Sequence, residues 1–235
     1  MSYEIRMEYI IEANNLCKSY YTGGEECKIL KNLNFKVARG DFLSLMGPSG
    51  CGKSTLLYLL GGLDKPTSGK VTLLGNNLST ISERKMSKLR RSNIGFVFQF
   101  YNLIQNLSVQ DNILLPIILD GKKVEDYSDK LQEMLEIIGL TEKRNLTPRE
   151  LSGGQQQRVA IARALIYEPE IVFLDEATGN LDSKTGTEVM ELLCRINKEM
   201  NKTLVHVTHS KEVAEYGNRL INLKDGVIIA DTKRK

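Results

Sequence analysis

Short apolar runs alternate with amphipathic stretches along most of the chain. Runs with the length and the β-branched or aromatic content of buried strands lie at residues 41–46, 93–99, 171–174 and 203–208. From Ser108 to about Gly139, apolar residues recur at spacings of three and four, which is typical of helices with one buried face. Strands that alternate with helices in this way favour an α/β fold with a mainly parallel, doubly wound sheet.

The first part of the chain follows a different pattern. Residues 9–13 and 33–37 look like strands, and the polar turn at residues 22–26 between them predicts a hairpin. A third strand is predicted at residues 70–74, after a break rich in Pro, Ser and Gly. We therefore expect a small antiparallel β subdomain at the N-terminus.

A glycine-rich loop, here called the phosphate loop, lies between the predicted strand at residues 41–46 and a predicted buried helix at residues 54–60. It fits the pattern G-x-x-x-x-G-K-[ST] with Gly47, Pro48, Ser49, Gly50, Cys51, Gly52, Lys53 and Ser54. The N–H groups of such a loop surround a polyphosphate, while Lys53 would reach the outer phosphates and Ser54 would hold Mg²⁺. Since a strand precedes it and a helix follows it, the loop predicts a nucleoside triphosphate site, in which we include Thr55.

Composition and charge exclude several classes of protein. Lys and Arg number 32 and Asp and Glu number 29, so the net charge of +3 argues against a nucleic-acid partner. The longest apolar run, about Ile113 to Leu119, is far shorter than the roughly 18 to 20 residues of a membrane span. Met1 to Glu8 lack the apolar segment of a secretory signal, so we expect a cytoplasmic location. The four widely spaced cysteines predict neither a zinc site nor disulfides.

A second motif, here called the signature, narrows the class of NTPase. It consists of Leu151, Ser152, Gly153, Gly154 and Gln155, and it opens a helix predicted from about Gln156 to Tyr167. With the phosphate loop and the order of the other motifs, it makes residues 9–230 resemble the ATP-binding-cassette (ABC) ATPases, the nucleotide-binding subunits of ABC transporters. The resemblance implies an ATPase that uses ATP and Mg²⁺ on the P-loop NTPase fold. It also implies one domain over residues 1–235: residues 1–98 and 168–235 would form the nucleotide-binding core with the β subdomain, and about 99–167 an inserted helical signature subdomain.

Two acids, Asp175 and Glu176, follow the predicted strand at residues 171–174. The position of Asp175 suits Mg²⁺ held through water, because that ion usually keeps several of its own water ligands. Glu176 resembles the general base of the family, which polarises the water that attacks the γ-phosphate. The resemblance further implies that Gln99 links the γ-phosphate and Mg²⁺ site to the helical subdomain.

Histidine and tyrosine residues complete the predicted site. His209, at the end of the strand at residues 203–208, matches the family histidine that donates a hydrogen bond to the γ-phosphate, whereas His206 lies within that strand and is expected to be structural. Tyr20 resembles the aromatic residue that stacks on adenine. Tyr21 is the alternative, because sequence does not fix the length of the adjacent turn.

The resemblance also implies partners. In this family the signature faces the phosphate loop of another subunit, so each chain would carry two half-sites and ATP would join two copies head to tail. Gly179, Asn180, Leu181 and Asp182, here called the boundary loop, match the family segment that runs along the subunit boundary. An integral membrane permease would be the second partner, and residues 101–113 would form part of the groove that receives one of its helices.

Local sequences narrow the branch of the family. Residues 60–69, 98–103 and 178–183 look most like the branch that serves lipoprotein release, macrolide export and resistance to antimicrobial peptides. We expect the ATPase subunit of such a transporter, peripheral on the cytoplasmic face of the membrane. One alternative is an ATPase that transmits mechanical signals to the cell envelope without transport. A soluble DNA-repair or translation ATPase is disfavoured, because the chain has a single cassette and no zinc cysteines.

Overall fold

The computed structural model describes residues 8–234, so most of the Met1–Glu8 segment, in which the sequence predicts no secretory signal, lies outside the described residues. The chain forms two compact units: one contains the residues up to Arg90 and those from Thr203 onward, and the other is Arg91–Lys202. The division into a core and a helical subdomain at about residues 99 and 167 stays a prediction.

In chain order the elements are β1 (Tyr9–Thr22), β2 (Glu25–Ala38), β3 (Phe42–Met46), α1 (Lys53–Leu60), β4 (Ser68–Leu73), β5 (Asn76–Asn77), α2 (Glu83–Asn93), β6 (Ile94–Val97), α3 (Val109–Leu119), α4 (Ser128–Ile137), α5 (Gly153–Leu165), β7 (Ile171–Asp175), α6 (Ser183–Glu199), β8 (Thr203–Thr208), α7 (Lys211–Ala214), β9 (Arg219–Lys224) and β10 (Val227–Lys233). Single 3₁₀ turns lie at Val124–Tyr127, Thr141–Lys143 and Pro148–Glu150.

The first unit contains the predicted antiparallel subdomain. Its strand order is β2-β1-β4-β5, and β1 and β2 form the predicted hairpin. Gly23 and Gly24 make the turn at φ values of 61° and 88°, a left-handed conformation that glycine adopts without steric cost. Both hairpin strands are 14 residues long, well beyond the predicted segments.

A second group of strands in the same unit supplies the parallel pairing. β3 pairs in parallel with β8 on one side and β9 on the other, and β9 pairs antiparallel with β10. Four of the five β3 residues are buried, as are all residues of β8. This pairing brings the ends of β3 and β8, and therefore the residues that follow them, to the same edge.

The second unit combines a parallel strand pair with most of the helices. β6 pairs in parallel with β7, and α5 packs against β6, α3 and α6. Gly95 of β6 allows this close approach, since a Cβ there would lie 2.8 Å from the carbonyl oxygen of Ala164. Mixed α/β architecture with parallel pairs, an antiparallel subdomain and inserted helices confirms the predicted fold class.

The prediction for the start of the signature helix was wrong by three residues. We placed it at about Gln156, but α5 begins at Gly153. Ser152 caps the helix by accepting a hydrogen bond from Gln155 N, and Gln155 Oε1 accepts one from Ser152 N. This reciprocal capping box supplies hydrogen-bond partners to backbone N–H groups at the start of the helix. It also places both signature glycines in the first turn.

Three further sequence predictions concern His206, the four cysteines and membrane-spanning helices. His206, expected to be structural, is fully buried in β8 beside Ser44 of β3, and neither ring nitrogen has a hydrogen-bond partner in the part of the chain that the structure describes. Cys17, Cys27, Cys51 and Cys194 are all free thiols. Among residues 8–234, every helix is too short or too polar to cross a bilayer.

Candidate functional site

The phosphate loop connects β3 to α1 and depends on glycine at three positions. A Cβ at Gly47 would collide with the carbonyl oxygen of Leu223, and one at Gly52 would lie 2.7 Å from Leu30 Cδ2. Gly50 and Gly52 also have φ values of 77° and 99°. The backbone is therefore held in a conformation that only glycine adopts without strain, as a loop that wraps an anion requires.

The side chain of Lys53 stabilises the curved backbone of the phosphate loop. Its side chain is buried, and Nζ donates hydrogen bonds of 2.9 Å to the carbonyl oxygens of Gly47 and Pro48. A buried ammonium that contacts neutral carbonyls favours an added anion, because the positive charge has no carboxylate partner among these contacts. Helix α1 has no side-chain cap at Gly52, so a phosphate could occupy the position that a capping side chain takes in other helices.

The remaining residues of the loop differ in what they can offer a ligand. Pro48, Ser49 and Gly50 are exposed, and Ser54 and Thr55 are partly exposed in the first turn of α1. The Cys51 side chain is instead buried with its sulfur beside Gly47, so this residue can meet a ligand only through its backbone.

His209 follows β8 and faces the phosphate loop. With Met46, Gly47 and Pro48 it lines a cleft of about 430 Å³. The side chain is exposed, unlike that of His206 three residues earlier. The structure thus brings together His209 and the phosphate loop, as the strand ends predicted.

The two candidate adenine platforms have different surroundings. Tyr20 is 42% exposed and its hydroxyl donates a 2.8 Å hydrogen bond to Asp64 Oδ2. Tyr21 is 71% exposed, and within residues 8–234 its side chain makes no ring contact and no hydrogen bond. Burial and the carboxylate of Asp64 raise the pKa of Tyr20, so its phenol stays a hydrogen-bond donor at neutral pH.

In the second unit, the residues after β7 meet Gln99. Glu176 has a φ of 47°, and its carbonyl oxygen accepts a 2.8 Å hydrogen bond from Gly179 N. A Cβ at Gly179 would lie 3.0 Å from Gln99 Nε2 and 3.3 Å from Glu176 Oε2, so both side chains converge there. Gln99 Nε2 also donates a 2.9 Å hydrogen bond to Asn180 Oδ1. The left-handed backbone of a glutamate at such a cluster is the kind of strain found at functional sites.

The signature glycines are fixed by their neighbours in the same unit. A Cβ at Gly153 would lie 2.8 Å from the hydroxyl of Tyr101, and one at Gly154 would collide with the Thr185 methyl group. Thr185 N in turn donates to Asp182, the last residue of the boundary loop and the cap of α6. Hydrogen bonds from Thr185, first from its hydroxyl, lower the pKa of Asp182. The signature and the boundary loop are therefore in contact through Thr185, a residue that the sequence analysis missed because no motif includes it.

The donor set can be compared with the needs of Mg²⁺. Ser54, Asp175 and Gln99 offer a hydroxyl, a carboxylate and an amide oxygen, which are the hard ligands that this ion prefers. No three His, Cys, Asp or Glu side chains within residues 8–234 form a metal cage. Mg²⁺ usually needs only one or two protein carboxylates together with water and substrate phosphates, so the donor type of each of these side chains suits it, and their arrangement around the ion stays a prediction.

Several known proteins are similar to this chain over most of its length. The family model described as ABC transporter matches residues 30–179, more than half of the chain. The lipoprotein-releasing system ATP-binding protein LolD of Legionella pneumophila (strain Lens) is 44% identical over 223 residues, which cover 95% of this chain and 98% of that protein. The macrolide export ATP-binding/permease protein MacB of Chlorobaculum tepidum is 41% identical over 226 residues, 96% of this chain and 34% of that protein. A solved dimeric, post-hydrolysis structure of the ATP-binding cassette MJ0796 with ADP and Pi is 43% identical, with a TM-score of 0.86, and the match covers 96% of this chain and 99% of that one.

Proposed function

The chain belongs to the ATP-binding subunits of the ABC transporter family and is an ATPase, and from this we propose that two copies close on ATP to drive a separate membrane permease. The observation that supports the proposal is that one chain carries two glycine segments at helix N-termini, the phosphate loop and the signature, in which a Cβ would meet neighbouring atoms within 3 Å. The dimeric ADP-bound structure of the similar cassette MJ0796 supports it.

Each proposed catalytic group has a distinct task. Lys53 and the N–H groups of the phosphate loop would hold the β- and γ-phosphates, and His209 would donate a hydrogen bond to the γ-phosphate. Glu176 would take the proton of the attacking water as general base. When bound, Mg²⁺ neutralises charge on the phosphate oxygens, and Ser54, Asp175 and Gln99 are the residues that would hold it.

Hydrolysis would cause the dimer to open because the γ-phosphate would contact both copies of the chain in the closed dimer. Ser152 and the N–H groups at the start of α5 would contact it from the second copy. Loss of the γ-phosphate removes contacts that exist only in the closed state, so the pair opens. The boundary loop would lie along the same junction.

A mixing experiment tests this arrangement. Lys53→Ala damages the phosphate loop and Ser152→Asp puts a carboxylate where the γ-phosphate would lie, so each variant alone should lose ATPase activity. In a head-to-tail pair the mixed dimer carries both lesions at one site and an intact second site. We therefore expect an equal mixture to regain roughly a quarter of the wild-type phosphate-release rate, since half of the dimers have one working site. A mixture as inactive as its components would contradict the shared-site arrangement.

A groove in the second unit is the proposed docking surface for the permease. A cleft of about 310 Å³ is lined by Phe100, Tyr101, Asn102, Leu103, Gln105 and Gln156. The groove ends earlier than the predicted segment, because Val109 and Ile113 are buried in the core. Arg163 of α5 donates hydrogen bonds to the carbonyl oxygens of Tyr101 and Asn102, and burial lowers its pKa. Tyr101 also lies against Gly153, so a permease helix that displaced Tyr101 would move the signature as well.

Phe100 provides the cleanest test of docking, because it is 72% exposed in the cleft whereas Leu103 is buried. We expect Phe100→Glu to abolish co-purification of the membrane permease with the tagged chain, while ATP-induced dimerisation is unchanged. Leu119→Glu is the matched control, since Leu119 is 76% exposed at the end of α3 and lies outside the cleft. Retention of the permease by Phe100→Glu, or its loss with Leu119→Glu, would show that the groove is misplaced.

The cargo is proposed from the relatives. LolD and MacB are named for lipoprotein release and macrolide export, so we propose export of, or resistance to, lipophilic or peptide compounds, with the chain on the cytoplasmic membrane face. The alternative is mechanical signalling to the envelope without cargo. Reconstitution of the chain with its co-purified permease in vesicles separates the two, because only a transporter moves a lipophilic probe on addition of ATP.

A further inference from the structure

A buried lysine, an aspartate and Tyr20 form a cluster outside the phosphate loop. Lys18 Nζ donates hydrogen bonds of 2.8 Å to Asp64 Oδ1 and to the carbonyl oxygen of Lys65. It also lies 4.7 Å from the centroid of the Tyr20 ring, and Asp64 Oδ2 accepts the 2.8 Å hydrogen bond from the Tyr20 hydroxyl. One carboxylate thus joins the cation above the ring to the hydroxyl at its end.

This cluster restricts the ring of Tyr20 in two ways. The hydrogen bond to Asp64 fixes the end of the side chain, and the ammonium covers one face through a cation–π contact. The opposite face is then the one left for a planar ligand. A ring that is already held in place loses less conformational entropy on binding than one without such contacts, such as that of Tyr21.

The cluster is also connected to the phosphate loop through α1. Asp64 N and Leu63 N both donate to the carbonyl oxygen of Tyr58, in the helix that begins at Lys53. On the other side, Ser19 N donates to Thr67 Oγ1 and fastens the same loop to β1. Tyr20 and the phosphate-loop helix are therefore joined by hydrogen bonds through residues 63–67.

We infer that Lys18 and Asp64 are positioning residues that hold Tyr20 as the platform for the adenine base at a fixed place relative to the phosphate loop. This inference rests on the proposed function, because it needs ATP to bind there. Burial opposes ionisation of Asp64, but hydrogen bonds from Lys18, Tyr20 and Lys65 N outweigh it and lower the pKa of the carboxyl. The cluster is thus an ion pair at neutral pH, with the lysine charge available to the ring.

The test compares ATP with inorganic tripolyphosphate, which has the phosphates but no base, by calorimetry in the presence of Mg²⁺. Tyr20→Ala should weaken ATP binding roughly 5- to 100-fold, the usual value of stacking one base on an aromatic residue. Lys18→Met should weaken it roughly 2- to 30-fold, as loss of a cation–π contact predicts, with partial rescue by Lys18→Arg. Asp64→Asn should act in the same direction. Tripolyphosphate affinity should stay unchanged in all of these variants.

Two controls separate positioning from general damage. Lys28→Met removes an exposed lysine from the same hairpin and should leave ATP affinity unchanged. Because Lys18 acts through Tyr20, Lys18→Met should add nothing in the Tyr20→Ala background. If Lys18→Met lowers the unfolding temperature, Asp64→Asn, which keeps the side-chain size, supplies the same comparison.

Other outcomes would overturn the inference or the function beneath it. Equal losses for ATP and tripolyphosphate, or additive losses in the double variant, would make Lys18 merely structural. Weaker ATP binding in Tyr21→Ala with normal binding in Tyr20→Ala would make Tyr21 the platform. A wild-type chain that binds neither ligand would instead refute the proposed ATP site itself.

Discussion

Glu176→Gln should retain ATP binding and lose hydrolysis by roughly 10²- to 10⁴-fold, the usual contribution of a general base. An amide of the same shape can still accept and donate hydrogen bonds beside Gly179, so the backbone at Glu176, with its φ of 47°, should be undisturbed. It cannot take a proton from the attacking water at neutral pH. The loss corresponds to about 3 to 5 kcal/mol of transition-state stabilisation. Single-turnover phosphate release measures it.

The same variant should accumulate as an ATP-bound dimer, because the γ-phosphate that holds the closed pair is no longer removed. Sedimentation with Mg²⁺ and ATP should show a dimer for Glu176→Gln and a mixture for the wild type. Glu191→Gln, the same change at an exposed position of α6, should behave as wild type. Turnover close to normal in Glu176→Gln would remove Glu176 from its proposed role.

Much of the fold could be predicted because several strands are apolar runs with recognisable turn or loop residues after them. The runs that became β3, β7 and β8 are mostly apolar and almost entirely buried, and the hairpin turn contains two glycines. The predicted hairpin strands were too short because the rest of β1 and β2 carries Asn, Lys and Glu between its few apolar residues. These residues have low strand propensity, and only pairing with a neighbour makes them extended.

Candidate site residues could be predicted from sequence where they belong to a short motif. They could not be predicted where they meet only through contacts between distant parts of the chain. Phosphate-loop, signature and strand-end residues lie in short patterns, so sequence alone brought out Lys53, Glu176 and His209. Lys18 and Asp64 are 46 residues apart, and no local pattern relates them. Thr185 is a neighbour of Gly154 only because α5 and α6 pack together.

The second large effect is expected from acid, through the buried His206. Burial lowers the pKa of this imidazole from 6.5 to about 4, because the charged form would lose its hydration and gains no partner among the described residues. Below pH 6.5 the imidazole of His206 therefore binds a proton in the unfolded chain but not in the folded chain. The free energy of unfolding consequently decreases as the pH falls from 6.5 towards 4. The free energy of unfolding should decrease by about 2 kcal/mol between pH 7 and pH 5 and by about 3 kcal/mol in full.

Urea unfolding at a series of pH values measures this loss, and the range from pH 6.5 to 5 separates the contribution of His206 from that of the carboxyl groups. Asp64 and Glu168 have pKa values lowered by their partners, so the stability that they supply is lost only below the ordinary carboxyl range, under about pH 4.5. Between pH 6.5 and 5 the slope should therefore belong to His206. His206→Leu should flatten it. Parallel curves for the wild type and His206→Leu would show that the acid sensitivity arises elsewhere.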